Sequence, residues 1–145
     1  MTTLTLPELV IEATPTFVIS TAIATRDFQD VHHDRDRAVQ RGSKDIFVNI
    51  LTTTGLVQRF VTDWAGPQAI VRNVAIRLGA PCYAGDTLTF TGQAEPAGPA
   101  SAGPVGPAGA AAVTGTEYLV RVTGRCRLGD HVTGTVRVLI PGSPA

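Results

Sequence analysis

The sequence carries no excess of either charge: 12 Lys and Arg balance 12 Asp and Glu over 145 residues. A balanced chain has no basic face for nucleic acid and no field to attract a polyanion or an anionic membrane surface. Cysteine is scarce. The two present, Cys82 and Cys126, lie in strand-like stretches with neither a CxxC nor a Cys/His ligand spacing, which argues for buried thiols rather than a zinc site or a disulfide framework. No apolar run approaches the roughly 18 residues of a membrane span. The N-terminal stretch MTTLTLPELVIEATP has no basic segment leading into an unbroken apolar one, so it does not read as a signal peptide. These absences lead us to expect a soluble, cytoplasmic protein with no membrane or nucleic-acid partner and no metal. The length suits one domain spanning 1–145, because two ordinary domains would each be too small to bury a core.

What is present is a small set of periodic segments. Residues 16–23, TFVISTAI, are β-branched and aromatic, with Phe17, Ile19 and Thr21 alternating against Val18, Ser20 and Ala22; this pattern predicts a strand. A polar stretch follows, ATRDFQDVHHDRDRAVQRGSKD, in which Asp34 is placed to cap a short helix over 35–40. Polarity of this density between apolar segments marks a functional loop. From 49 to 65, Ile50, Leu56, Val57, Phe60, Val61 and Trp64 recur at helical spacing until Gly66-Pro67 stops the run. Four strands are predicted after it, at 70–78, 87–94, 117–127 and 131–140, separated by turns such as Gly85-Asp86 and Gly129-Asp130.

Between 94 and 115 the composition falls almost entirely to Pro, Gly, Ala and Ser without a collagen period, and the expectation is a flexible, poorly ordered hairpin insertion. One long apolar helix has to be covered on nearly all sides, and an antiparallel sheet curled around it does so. The predicted architecture is therefore α+β: a hotdog fold.

Chemistry concentrates in RDFQDVHHD, where Asp27 and His32 stand five positions apart. That spacing does not share one helical face, but a turn brings both groups to one point, where together they hold a single water. The stretch resembles the D-x-N-P-x-H-x-D motif of MaoC-like and R-specific enoyl-CoA hydratases: Asp27, His32 and Asp34 match, while Gln29 and Asp30 replace its Asn and Pro. PCYAGDTLTFTG and GDHVTGTVRVLIP resemble further segments of that family, so the similarity covers most of 16–141 apart from the 94–115 insertion. Within the family, the strings ATRDFQDVHHDRDRAV, GSKDIFVNIL and TGLVQRFVTDWAGP are most similar to the small catalytic subunits of actinobacterial steroid (cholesterol) side-chain enoyl-CoA hydratases.

The resemblance implies Asp27 and His32 as the catalytic pair, a CoA thioester as substrate, and no separate cofactor. It also implies hydration of a CoA-linked steroid side chain to a tertiary alcohol, which a thiolase-like aldolase then cleaves. The expected partner is a second MaoC-like hotdog chain lacking the dyad. One departure stands out: Asn49-Ile50-Leu51 occupies the place of the family's His-Gly-Met, whose glycine amide polarises the thioester carbonyl. Any residue but proline supplies an amide, so the Ile50 N–H at a helix start is the candidate oxyanion donor. Asn49, Arg72 and Arg77 are candidate substrate-binding residues, the arginines because guanidinium groups suit the CoA phosphates. His33 and Asp30 read as structural or surface residues. Two rival functions remain open at this point: a hotdog acyl-CoA thioesterase, and a non-catalytic hotdog subunit that completes a partner's acyl tunnel.

Overall fold

A computed structural model describes residues 2–103 and 108–142. Two short strands come first, β1 (Leu4–Thr5) and β2 (Leu9–Ala13), then helix α1 (Pro15–Ala24). A single 3-10 turn (Asp30–His32) and helix α2 (Arg35–Gln40) precede the long helix α3 (Ile50–Ala65). The chain ends in β3 (Ile70–Leu78), β4 (Asp86–Ala102), β5 (Val113–Cys126) and β6 (Gly129–Pro141). One antiparallel sheet runs β1-β4-β5-β6-β3, with β2 also paired to β4 below β1. This sheet curls about α3, as expected for a hotdog fold.

The core is where sheet and helix interdigitate. From α3, Leu56, Val57, Phe60 and Val61 are buried; they meet Leu88 and Phe90 of β4, Val120 and Val122 of β5, and Val132, Val136 and Val138 of β6. Phe60 stacks on Phe90 with ring centroids 6.1 Å apart, and burial of such side chains stabilises the fold by roughly 1.5–3 kcal/mol each. Close approach of helix to sheet depends on Gly92, where a β-carbon would lie 2.8 Å from Phe60 Cε1 and 2.7 Å from the Arg121 carbonyl oxygen. At the far end of α3, Trp64 packs edge-on against Tyr118 at 5.4 Å. Among the described residues no helix is long and apolar enough to cross a membrane.

Two expectations fail. Residues 16–23 are not a strand but most of α1. Thr14 caps this helix by accepting the Phe17 N–H at 3.1 Å, and Pro15 sits in its first turn, where a missing N–H costs nothing. Strand propensity yields because Val18 and Ala22 bury their side chains in helical register and the Thr21 hydroxyl finds an acceptor in the Phe17 carbonyl at 2.7 Å. The strand that does lie at the N-terminus is β2, whose Ile11 and Ala13 point into the core.

The second concerns 94–115, where the expected hairpin is present but is built of paired strands that continue the sheet. Rather than leaving the sheet at 94, β4 continues to Ala102 and β5 begins at Val113, with pairs from Glu95↔Leu119 to Ala102↔Val113 and one irregularity between Pro96 and Gly98. Backbone pairing needs no apolar side chains, so a Pro/Gly/Ala composition still extends the β4–β5 ladder, with β6 flanking β5 as far as the Gly115↔Pro141 pair. The part of that segment at 104–107 lies outside the described residues.

Candidate active site

The turn after α1 delivers Asp27. Thr25 ends the helix, its hydroxyl donating to the Thr21 carbonyl at 2.8 Å. Arg26 then takes a left-handed conformation at φ 56°, unusual for a residue with a β-carbon. This reversal lets the Asp27 amide donate back to the Ala22 carbonyl at 2.9 Å, and the carboxylate emerges beside the start of α3. The 3-10 turn delivers His32, whose amide donates to the Gln29 carbonyl at 3.1 Å.

Asp27 and His32 do meet. His32 Nε2 lies 3.5 Å from Asp27 Oδ2, with side chains 9% and 16% exposed respectively. His32 Nδ1 is 2.8 Å from the Phe47 carbonyl oxygen. Because that oxygen only accepts, Nδ1 carries a proton, and in the neutral imidazole Nε2 is left as an acceptor. The Phe47 ring packs edge-on against the imidazole at 4.7 Å, which fixes the ring plane. In that neutral form two acceptors, carboxylate oxygen and Nε2, face one another at 3.5 Å. Such a pair is built to receive both hydrogens of one water.

Asn49, expected to bind substrate, does something else: it is 1% exposed and holds Asp27. Its Nδ2 donates to Asp27 Oδ2 at 3.0 Å and to Thr25 Oγ1 at 2.9 Å, while its Oδ1 caps α3 by accepting the Thr52 N–H at 3.3 Å. The other carboxylate oxygen, Asp27 Oδ1, accepts the Gln29 amide at 3.3 Å. Burial and these bonds correct the substrate-contact assignment. With Thr52 N on Asn49 Oδ1 and Thr53 N on the Asn49 carbonyl at 3.1 Å, the Ile50 and Leu51 amides are the first of the helix left facing outward, and both residues are exposed. The Ile50 amide thus stands next in sequence to the residue that holds Asp27.

The two arginines lie at opposite ends of β3. Arg72 lies near the start of β3, close to the C-terminal end of α3, where it pairs with Glu117 at 3.5 Å and reaches the Ser101 carbonyl at 3.4 Å; its assignment to substrate is not supported there. Arg77, opposite Thr133 at the other end of β3, is exposed. Asp30 is held by Arg41 at 2.7 Å, and Asp34 caps α2 through the Arg37 amide at 3.1 Å, both as structural roles require. Among the described residues no group of three or more His, Cys, Asp or Glu forms a metal-binding cluster.

Sequence reasoning missed His131. It is buried, with Nδ1 2.8 Å from the Ala80 carbonyl and Nε2 2.8 Å from Thr53 Oγ1. Burial holds its pKa below the ordinary 6.5, the Ala80 hydrogen bond opposing. A histidine beginning an otherwise apolar alternation after the Gly129-Asp130 turn was the available signal. Cys82 is also buried, its thiol pushed up to about 12 mainly by desolvation, which leaves it unreactive.

Fold and dyad together define a chain of the MaoC-like hotdog hydratases. No family model matches the sequence, but single relatives do. Over 133 residues, 92% of this chain and 91% of the relative, it is 56% identical to the 3-oxo-4,17-pregnadiene-20-carboxyl-CoA hydratase beta subunit of Mycobacterium tuberculosis (strain ATCC 25618 / H37Rv), and it belongs to the family of that subunit. A chain in the crystal structure of the ChsH1-ChsH2 complex from Mycobacterium tuberculosis superposes with a TM-score of 0.78 at 54% identity, covering 94% of this chain and 95% of that one. The (R)-hydratase from A. caviae involved in PHA biosynthesis shares the fold, with a TM-score of 0.72 at 16% identity over 93% of both chains.

Proposed function

We propose that this chain is the dyad-bearing subunit of an enoyl-CoA hydratase that adds water to the double bond of a CoA-linked steroid side chain. The observation that carries the reaction is the 3.5 Å convergence of Asp27 Oδ2 and His32 Nε2, the latter being the acceptor nitrogen of the neutral ring because Nδ1 faces the Phe47 carbonyl. Water held there presents its oxygen outward. As that oxygen bonds to the β-carbon of the enoyl thioester, one water proton passes to the dyad. The π electrons move toward the thioester oxygen, which the outward Ile50 amide at the positive end of α3 stabilises. A proton then reaches the α-carbon, so that one water is added and nothing is oxidised or reduced. No metal or redox cofactor enters this scheme, and CoA is part of the substrate.

The substrate class draws on the relative's name, which describes a steroid CoA thioester. It is also supported by the exposed apolar side chains of Phe28, Ile50 and Leu51, which stand one or two residues from Asp27 and Asn49 and suit an apolar acyl group. A two-protein complex among the similar structures supports a second MaoC-like hotdog chain, lacking the dyad, as the partner that completes the acyl pocket. The product, a β-hydroxyacyl-CoA, is of the kind a thiolase-like aldolase cleaves, and such an enzyme is proposed as a further partner.

The test is hydration of a steroid-side-chain enoyl-CoA by this chain co-expressed with such a partner, followed by loss of the conjugated thioester absorbance and a product heavier by one water. Asp27→Asn and His32→Ala should each lower kcat at least about a hundredfold without loss of secondary structure. Near-normal turnover in either folded variant removes the site. Release of free CoA thiol from a saturated acyl-CoA would instead identify a thioesterase.

A further inference from the structure

The Asn49 side chain is oriented by a constraint that has nothing to do with chemistry. Thr52 N–H is an obligate donor at the start of α3, so the atom 3.3 Å from it has to be Asn49 Oδ1. Helix capping thereby turns the amide's NH2 the other way, toward Asp27 Oδ2 at 3.0 Å and Thr25 Oγ1 at 2.9 Å. Thr25 Oγ1 is free to accept because its own proton goes to the Thr21 carbonyl at 2.8 Å. Nearly complete burial leaves the amide no alternative partner in solvent.

We propose that Asn49 is a positioning residue for the acid–base step: one amide locks the Asp27 carboxylate in the orientation that faces His32 and ties it rigidly to the helix start that presents the Ile50 amide. Two consequences follow for the reaction. The oxygen that faces His32, Oδ2, is the one that accepts the Asn49 N–H, so the carboxylate is aimed by a neutral donor. The water-holding group and the oxyanion donor are also fixed relative to each other through a single side chain, whereas a residue of another shape would cap the helix without aiming the carboxylate. This inference rests on the reading of Asp27 and His32 as the catalytic pair.

Asn49→Asp separates the two roles of the side chain. Aspartate caps a helix as well as asparagine does, so α3 should still form and the secondary structure be retained, with thermal stability lowered by the second buried carboxylate. The donor, however, becomes a second carboxylate against Asp27, and two such groups hold a proton to higher pH than either alone. In the full chain assembled with its partner, the acidic limb of kcat/KM against pH should move up by about one unit or more. At neutral pH kcat should fall at least about tenfold, with KM changed less than about threefold. Asn49→Ser, which retains a capping oxygen but has no amide donor, should lower kcat similarly without moving the limb upward. Asp27→Asn measured alongside distinguishes the two levels of the argument. If it abolishes turnover while both Asn49 variants keep wild-type kcat and pH profile, the positioning role is overturned alone; if it retains turnover, the catalytic pair itself is overturned. A purely structural role predicts a loss of folded protein with an unshifted pH limb, and that result would also overturn the proposal.

Discussion

His32 Nδ1 lies 2.8 Å from the Phe47 carbonyl oxygen, and this contact decides which imidazole nitrogen faces Asp27. The neutral ring is held in the Nδ1–H tautomer, leaving Nε2 as the acceptor. Long-range 1H–15N spectra of the folded protein should therefore show a protonated Nδ1 and a bare Nε2 once His32 is neutral. Finding the opposite tautomer would mean that Nε2 donates directly to Asp27 and that no water sits between them.

His131 makes stability depend on pH. Its folded-state pKa is depressed from 6.5 by burial, so above that value both folded and unfolded chains are neutral at this residue and its contribution is fully present. As pH falls through 6.5 and on toward the folded pKa, the unfolded chain takes up a proton that the folded one resists, and stability is lost. Thermal melts from about pH 8 down to about pH 5 should show a steeper decline for the wild type than for His131→Gln. Parallel curves would show that His131 is readily protonated in place.

Two glycines facing different surroundings should respond to alanine with opposite signs. At Gly92 a β-carbon would fall within 2.8 Å of Phe60, so Gly92→Ala should destabilise by about 1–3 kcal/mol through overpacking. At Gly55, inside α3, a β-carbon would meet nothing within 4 Å, and the backbone there is ordinary helix. Gly55→Ala should stabilise by roughly 0.5–1 kcal/mol. Urea unfolding measures both, and a destabilised Gly55→Ala would reveal a neighbour closer than the structure places it.

The β4–β5 arm should prove dispensable to folding. None of its described residues from Glu95 to Ala102 is buried, and its ties to the rest of the sheet are at its base and edge: Arg72 reaches the Ser101 carbonyl at 3.4 Å and Glu117 at 3.5 Å, and β6 pairs with β5 as far as Gly115. Replacing 100–115 by an Asn-Gly turn should cost less than about 1 kcal/mol. A large drop in melting temperature would place the arm among the elements that hold the sheet together.

Where the sequence misled, local preference and tertiary packing pulled apart. Residues 16–23 have strand composition, yet Thr14 and Pro15 start a helix and the core accepts Val18 and Ala22 from that helix. Cap residues carried more information than the β-branched run behind them, and Asp34 illustrates the same point where the prediction held: α2 begins at Arg35 under the cap read from the sequence.

The sequence by itself determined the long helix ended by Gly66, the four strands behind it and the Asp27–His32 pair, because each is written in periodicity, turn residues or a motif within a short window. Only the tertiary structure decided what Asn49, Phe47 and Thr25 do for that pair. Each is separated from Asp27 or His32 by a turn or a whole helix start, and hydrogen bonds between such segments exist only after packing has removed water and brought donor and acceptor to about 3 Å. Asn49 caps α3 by a local contact, made to the Thr52 N–H three residues on. Its grip on Asp27, 22 residues away in sequence, follows from the way α1 and α3 dock, and no spacing along the chain records that.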